Sequence, residues 1–292
     1  MYTHLVRGIF MSKFILHDVD SKNLYGTMNG GTVCLTNITE SDKKMLMEKH
    51  NLESLDNFQF SKEDKNMIFR EHRKAFGADQ GFDWRKMFMM DQTNKNGSYF
   101  EITEDFVEAN PNGWADIKED ILIITDKVPG VVAGYPVADC PVVMMSDLKQ
   151  GITAVAHCSA DLINKKLPMM TADALTQGYG SKEEDIRILV GACAGNGWKY
   201  NNYPAWATDE RLWEDCITQV GDDFFIDVRK ALRKEFAERG LGDCDTVFNL
   251  ADTITDSRYY SHSAHFEHPE KYGRHFEGMF YEKVDGGKRK IK

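Results

Sequence analysis

Four short apolar runs crowd into fewer than forty residues, and they limit what this chain can fold into. Asp120 to Thr125 contains Ile121-Leu122-Ile123-Ile124. Val131 to Val137 and Pro141 to Met145 follow, and Gly151 to His157 completes the set. Each run is too short for a stable helix and is bounded by turn residues. Continuous apolar runs of this length suit strands buried on both faces. Ile186 to Val190 reads as a further buried strand. Shorter strand candidates are Thr32 to Leu35, beyond the turn Asn29-Gly30-Gly31, then Lys86 to Asp91, Ser98 to Thr103, Thr246 to Leu250 and Met279 to Tyr281.

Helical signals alternate with these strands. Ser61 and Asp64 form a capping-box-like start, and Met67, Ile68, Ala75 and Phe76 recur at near-helical spacing until Gly77. Residues 161–178 are helical in pattern, and Pro168 either opens the helix at its first turn or kinks it. Asp227 caps Val228 to Arg239, whose Val228, Ala231, Leu232 and Phe236 share one face, with Gly240 at the end. This alternation predicts an α/β class. No repeat or compositional break divides the chain. One domain over 17–284 is expected, with an N-terminal extension at 1–16 and a solvated basic tail at 285–292.

Charge and cysteine usage narrow the function. The 36 basic and 46 acidic residues leave a net charge of −10. A surface of that sign does not suit general binding to nucleic acid or anionic membrane, so the expected partner is a small molecule. No run approaches the roughly 20 apolar residues that span a bilayer. The Gly8 to Met11 run lacks a signal-peptide pattern, so a cytoplasmic location is expected. The six cysteines are scattered, with no Cys-x-x-Cys pair, and read as free thiols.

Three places could carry chemistry. The first is Val137-Ala138-Asp139-Cys140-Pro141, which sits between two strands. Seventeen positions on, another strand delivers His157. Two strands of one sheet can bring that cysteine and histidine together. The pair is then a nucleophile with its base, or two donors of a zinc site that needs a third. Against this, a free cysteine at a strand end is ordinarily a small core residue. The second place is the Gly191 to Gly197 loop, which lacks dinucleotide and Walker spacing and is either a ligand approach or a plain strand exit. The third is His262, His265 and His268. Their three-residue spacing resembles a metal cluster, but interleaved aromatics and Pro269 favour a histidine-rich surface loop.

Taken in order, these pieces resemble the laccase-domain family, also described as polyphenol oxidase-like or purine nucleoside phosphorylase-like. That family's pattern runs from a Gln-x-His strand end, through Thr-Ala-Asp-Cys-x-Pro, to a strand ending His-Ala-Gly-Trp-Arg-Gly. Ala138-Asp139-Cys140-Pro141 resembles the second element, and Ala154-Val155-Ala156-His157 resembles the start of the third. Asp126, Pro129 and Gly130 are similar to a preceding turn, and Gly191-Ala192-Cys193 to a glycine-rich strand exit. Tyr260, Ser261, Gly273 and Arg274 are similar to a closing segment. The resemblance spans roughly residues 60–282. It implies a single-domain α-β-β-α sandwich with mixed sheets, similar to the catalytic fold of the cytotoxic necrotizing factor toxins.

The resemblance also implies a zinc held by one cysteine and two histidines, with copper the less favoured metal. The implied activities are purine nucleoside phosphorolysis, adenosine deamination and phenol oxidation. Carried onto this chain, Cys140 and His157 are the catalytic residues and metal donors. Gln92, Asn94, Asp139 and Arg274 are the substrate-binding candidates, with Arg274 binding an anionic group. The chain departs from the pattern at two elements. Gln92-Thr93-Asn94 puts Asn94 where a histidine donor belongs, and Asp161 replaces an arginine, setting a negative charge where a phosphate would bind. Either the metal is lost, or Cys158 or a histidine of the 262–268 loop substitutes, or the chemistry has changed. The leading expectation is a divergent enzyme acting on purine nucleosides or related small polar substrates through a zinc site centred on Cys140 and His157. The alternatives are a metal-free Cys–His amide hydrolase and a non-catalytic binding relative.

Overall fold

The computed structural model describes residues 13–16, 40–54, 82–90, 94–113, 115, 117–242, 244–265 and 274–280, together with Ser61, Asp64, Met67, Arg70, Glu71, Arg73, Lys74, Gly77 and Ala78. The expected strand Thr32 to Leu35 and the basic tail lie outside the described residues.

The apolar runs become the centre of a six-stranded sheet. Its strands are β3 (Tyr99–Glu101), β4 (Ile121–Thr125), β6 (Val142–Asp147), β7 (Ile152–His157), β8 (Ile186–Val190) and β12 (Asp245–Phe248). The spatial order is β12-β8-β6-β7-β4-β3. β6 pairs antiparallel with both β7 and β8, while the two edge pairs are parallel. A four-stranded sheet, in the order β1-β13-β5-β2, joins β1 (Lys13–Leu16), β2 (Met87–Met89), β5 (Val132–Val137) and β13 (His275–Phe280). β1, at Lys13–Leu16, pairs antiparallel with β13.

Alternation along each strand decides the layers. Ile121, Ile123, Val143, Met145, Ala154, Ala156, Ile188 and Val190 face a core shared with the helices Ala160–Asn164, Leu167–Asp173 and Val228–Glu238. Leu122, Ile124, Val142, Met144, Val155 and Leu189 face the other way, onto Phe88, Ala133, Val137 and Met279 of the small sheet. The result is a mixed α/β fold in which helices, the large sheet and the small sheet lie in successive layers. A third sheet, β9 (Trp198–Tyr200), β10 (Ile217–Val220) and β11 (Asp223–Ile226), is absent from the sequence reading.

The predicted caps form. Ser61 Oγ accepts from the Asp64 amide at 3.1 Å, and Asp64 accepts from the Ser61 amide at 3.0 Å. Asp227 accepts from the Lys230 amide at 2.8 Å and starts helix Val228–Glu238. Pro168 opens a helix rather than kinking one. Ala160–Asn164 ends, Lys166 turns left-handed at φ 66°, and Leu167–Asp173 begins with Pro168 in its first turn before passing into a π-helical turn at Ala174–Gly178.

Lys166 spans this break to reach Asp209 at 2.7 Å and Glu235 at 2.8 Å. Glu235 is fully buried on helix Val228–Glu238. Burial pushes its carboxyl up to about 7, against the pull of Lys166. The folded protein therefore holds this proton to a higher pH than the unfolded chain. Its contribution is fully present below about 4.5, the ordinary value, and is lost as pH rises to about 7. We expect the stability difference between wild type and Glu235→Gln to fall by roughly 1.4 kcal/mol per pH unit across that window, about 3 kcal/mol in all. Urea titrations from pH 4.5 to pH 8 check this, and parallel curves for the two proteins would contradict it.

Among the described residues, no helix is long and apolar enough to cross a membrane.

Candidate functional site

The large sheet brings Cys140 and His157 to one rim. His157 is the last residue of β7 and pairs in register with Val142, two residues beyond Cys140. The Cys158 amide closes the corner by donating to the Pro141 carbonyl at 2.9 Å. Cys140 therefore leads into the strand that lies between β7 and β8. Both Cys140 and His157 are half-buried.

Asp139 sets the approach to Cys140. Its backbone is left-handed at φ 78°, a conformation that Asp and Asn tolerate better than most residues. Its side chain is buried. One carboxylate oxygen accepts from the Thr253 hydroxyl and the other from the Ser263 amide, both at 2.7 Å. Its carbonyl accepts from the Ala194 amide at 2.8 Å. Asp139, expected to bind substrate, is thus turned inward and ties together the segments around residues 194, 253 and 263.

Arg274 enters the rim immediately before β13, half-buried. Its charge bears on Cys140, His157 and His262. Burial and Asp139 push the Cys140 thiol up to about 12, with Arg274 partly opposing. Burial, reinforced by Arg274, pulls His157 down to about 3. The two are therefore a neutral thiol and a neutral imidazole at physiological pH. His262 is lowered by burial, then by Arg274 and His265. The His262 and His265 rings lie 4.9 Å apart.

Tyr135 of β5 stacks on His157 with ring centroids 4.2 Å apart and planes 2° from parallel. The sequence reading missed this contact. Its one signal is an aromatic residue on a strand two positions before Val137. Tyr200 and Cys140 pack against the same helix-side core.

Other candidates fall elsewhere. Asn94 is exposed, and its amide donates to Ser98 Oγ at 3.3 Å. Gln92 and His268 lie outside the described residues. Cys158 is wholly buried in the helix-side core, with its thiol directed to the Ala156 carbonyl at 3.8 Å, whereas His157 meets Tyr135 of the small sheet. Asp161 ion-pairs with Lys165 at 2.8 Å, which offsets the charge expected to repel a phosphate. Among the described residues, no three His, Cys, Asp or Glu side chains converge on a metal-binding point. Among the described residues, Cys140 and His157 offer two donors where a zinc centre of this kind needs three, so the described donors alone do not complete one.

The rim can be set beside known proteins. The profile of the multi-copper polyphenol oxidoreductase laccase family matches residues 42–282. Nothing among curated proteins matches the chain. Solved structures share the fold, among them the following three. The hypothetical protein YfiH of Bacillus licheniformis is 16% identical with a TM-score of 0.59, over 74% of this chain and 82% of that one. YlmD of Geobacillus stearothermophilus is 12% identical at 0.62, over 74% and 81%. Protein NMB0706 of Neisseria meningitidis is 14% identical at 0.57, over 74% and 82%. The matched span contains both main sheets apart from β1, together with the Cys140–His157 rim, and on that match the chain belongs to the multi-copper polyphenol oxidoreductase laccase family.

Proposed function

We propose that the chain is an enzyme of small polar substrates, with purine nucleosides the leading class and phosphorolysis the leading reaction, working at the Cys140–His157 rim. The observation that supports this is that Arg274 enters the rim just before β13 and its charge bears on both Cys140 and His157 at adjoining strand ends. Phosphorolysis needs an anion held beside the sugar, and a guanidinium binds phosphate through paired charge-assisted hydrogen bonds. A phosphate oxygen attacks the anomeric carbon, the glycosidic bond breaks, and its electron pair leaves on the base, which takes up a proton. Arg274 orients the phosphate. His157, neutral, offers one N–H and one lone pair to the substrate, and Cys140 offers an S–H donor. Tyr135 holds the imidazole.

The alternative of a metal-free cysteine nucleophile has less support. A thiol at about 12 does not pass its proton to an imidazole at about 3, and the thiolate is the reactive species.

The test is release of free base from inosine, adenosine and guanosine in phosphate, by wild type, Cys140→Ser and Arg274→Gln, with metal content measured on the same samples. Arg274→Gln should raise the KM for phosphate by about tenfold or more. Cys140→Ser should lower turnover by at least about tenfold. No base release from any nucleoside, or unchanged kinetics in both variants, rejects the proposal. Stoichiometric zinc in wild type that is lost in Cys140→Ser would show that Cys140 is a metal donor.

A further inference from the structure

Tyr135 and Glu277 are direct cross-strand partners on β5 and β13 of the small sheet. Each touches a different strand of the large sheet. Tyr135 stacks on His157 at the end of β7. Glu277, 1% exposed, accepts from the Ala192 amide at 2.6 Å, just beyond the end of β8. Its second oxygen lies so close to Gly191 that a Cβ there would sit 1.8 Å away. β6, the strand that Cys140 leads, runs between β7 and β8.

We infer that Tyr135 and Glu277 are a pair of positioning residues that hold the two strands flanking Cys140 and so fix the geometry of the Cys140–His157 rim. The inference rests on the proposed reading of that rim as the site of chemistry. The stack does more than fill space. Both ring nitrogens of an imidazole lie in its plane, so a parallel phenol ring fixes the plane in which they can reach a ligand. Glu277 works on the other flank. Its carboxylate takes up an amide that the end of the β6–β8 ladder leaves over, and the neighbouring glycine admits it. His275 Nε2 lies 3.5 Å from the same carboxylate, and Tyr259 meets the His275 ring edge-on at 5.1 Å, so the grip is itself packed in place. Neither residue is close to the other along the chain, and only the register of β5 against β13 makes them act together.

The experiment uses the full chain in four forms: wild type, Tyr135→Leu, Tyr135→Phe and Glu277→Gln. The first readout is the imidazole NMR signals of His157, assigned by their loss in His157→Gln. The second is steady-state phosphorolysis. In Tyr135→Leu the His157 ring signals should shift and broaden, and kcat should fall about tenfold with KM within about twofold. Tyr135→Phe keeps the stack and should restore both. A fifth form, Glu277→Ala, removes the acceptor of the Ala192 amide and should broaden the His157 signals and lower kcat. Glu277→Gln, which keeps an acceptor, should restore both. An unchanged Glu277→Ala would remove Glu277 from the pair. If Tyr135→Leu fails to fold, Tyr135→Met, which keeps the bulk without the ring, takes its place. His157 signals that are the same with and without the ring overturn the inference, and so does an unchanged kcat. If wild type cleaves no nucleoside while the His157 signals respond as described, the catalytic reading fails and the positioning role stands.

Discussion

Gly134→Ala should be the most destabilising conservative change in the small sheet, costing about 3 kcal/mol or more and lowering the melting temperature by roughly 5–10 °C. Gly134 faces Gly278 across the β5–β13 pair. A Cβ on Gly134 would lie 2.2 Å from the Phe276 ring, 2.3 Å from the Glu277 carbonyl oxygen and 2.8 Å from the Gly278 Cα. Two of these three obstacles are backbone, so no rotamer change relieves them. A methyl on Gly278 meets the same problem, 2.3 Å from the Ala133 carbonyl oxygen. The Phe276 ring is fully buried over this pair, and two bare α-carbons make room for it. Gly197→Ala is the control, because its Cβ meets only the end of the Ile254 side chain, at 3.8 Å. Thermal unfolding of Gly134→Ala, Gly278→Ala and Gly197→Ala settles the matter. Equal melting temperatures for Gly134→Ala and Gly197→Ala would show that the strands separate at little cost. The effect should reach the rim, since the same two strands carry Tyr135 and Glu277.

Asp139→Ala should be nearly as severe, costing about 3–5 kcal/mol. The change removes the acceptors of the Thr253 hydroxyl and the Ser263 amide, and leaves two inward-facing donors without partners. It also places an alanine at φ 78°, where the Cβ is disfavoured. The two costs separate in a series. Asp139→Gly relieves the backbone and still lacks the acceptors. Asp139→Asn tolerates the backbone and keeps one acceptor. Urea midpoints should rank wild type, Asn, Gly and Ala in falling order. The Ala variant should also expose Cys140 to thiol reagents faster than wild type, because the 253–263 segment is no longer tied to the residue beside it. Equal midpoints for Asn and Ala would mean that the carboxylate bonds contribute nothing.

The parts of this fold that were legible in the sequence are those written locally. The run from Ile121 to His157 carries its own strand pattern, and β4 to β7 follow it closely. The Ser61–Asp64 and Asp227 caps are short-range chemistry and appear as read. β10 was not legible because its Thr218, Gln219 and Val220 are exposed and polar or isolated, and its strand character comes from pairing with β11. Helix Glu40–His50 was missed for a similar reason. Leu46 is the only residue deeply buried among those whose burial is described there, so it shows no apolar stripe. At the rim, Cys158 lies in the helix-side core while His157 meets Tyr135 of the small sheet. The inward turn of Asp139 was invisible because its partners lie 114 and 124 residues away. A carboxylate beside a cysteine looks the same in sequence whether it faces a ligand or its own fold.

The opposed faces of His157 and Cys158 also make the length of β7 a determinant of chemistry. Loss of one residue within Ile152–His157, with the start of the strand held, would carry Cys158 into the place of His157, so that the rim presents a thiol where the imidazole stood. Gain of one residue would put Ala156 there instead. A single-codon deletion or insertion in this strand would therefore change which donor atoms the rim presents, not merely how firmly it is held. Relatives that keep the rim should vary in length at the surface turns and stay constant between residues 152 and 157.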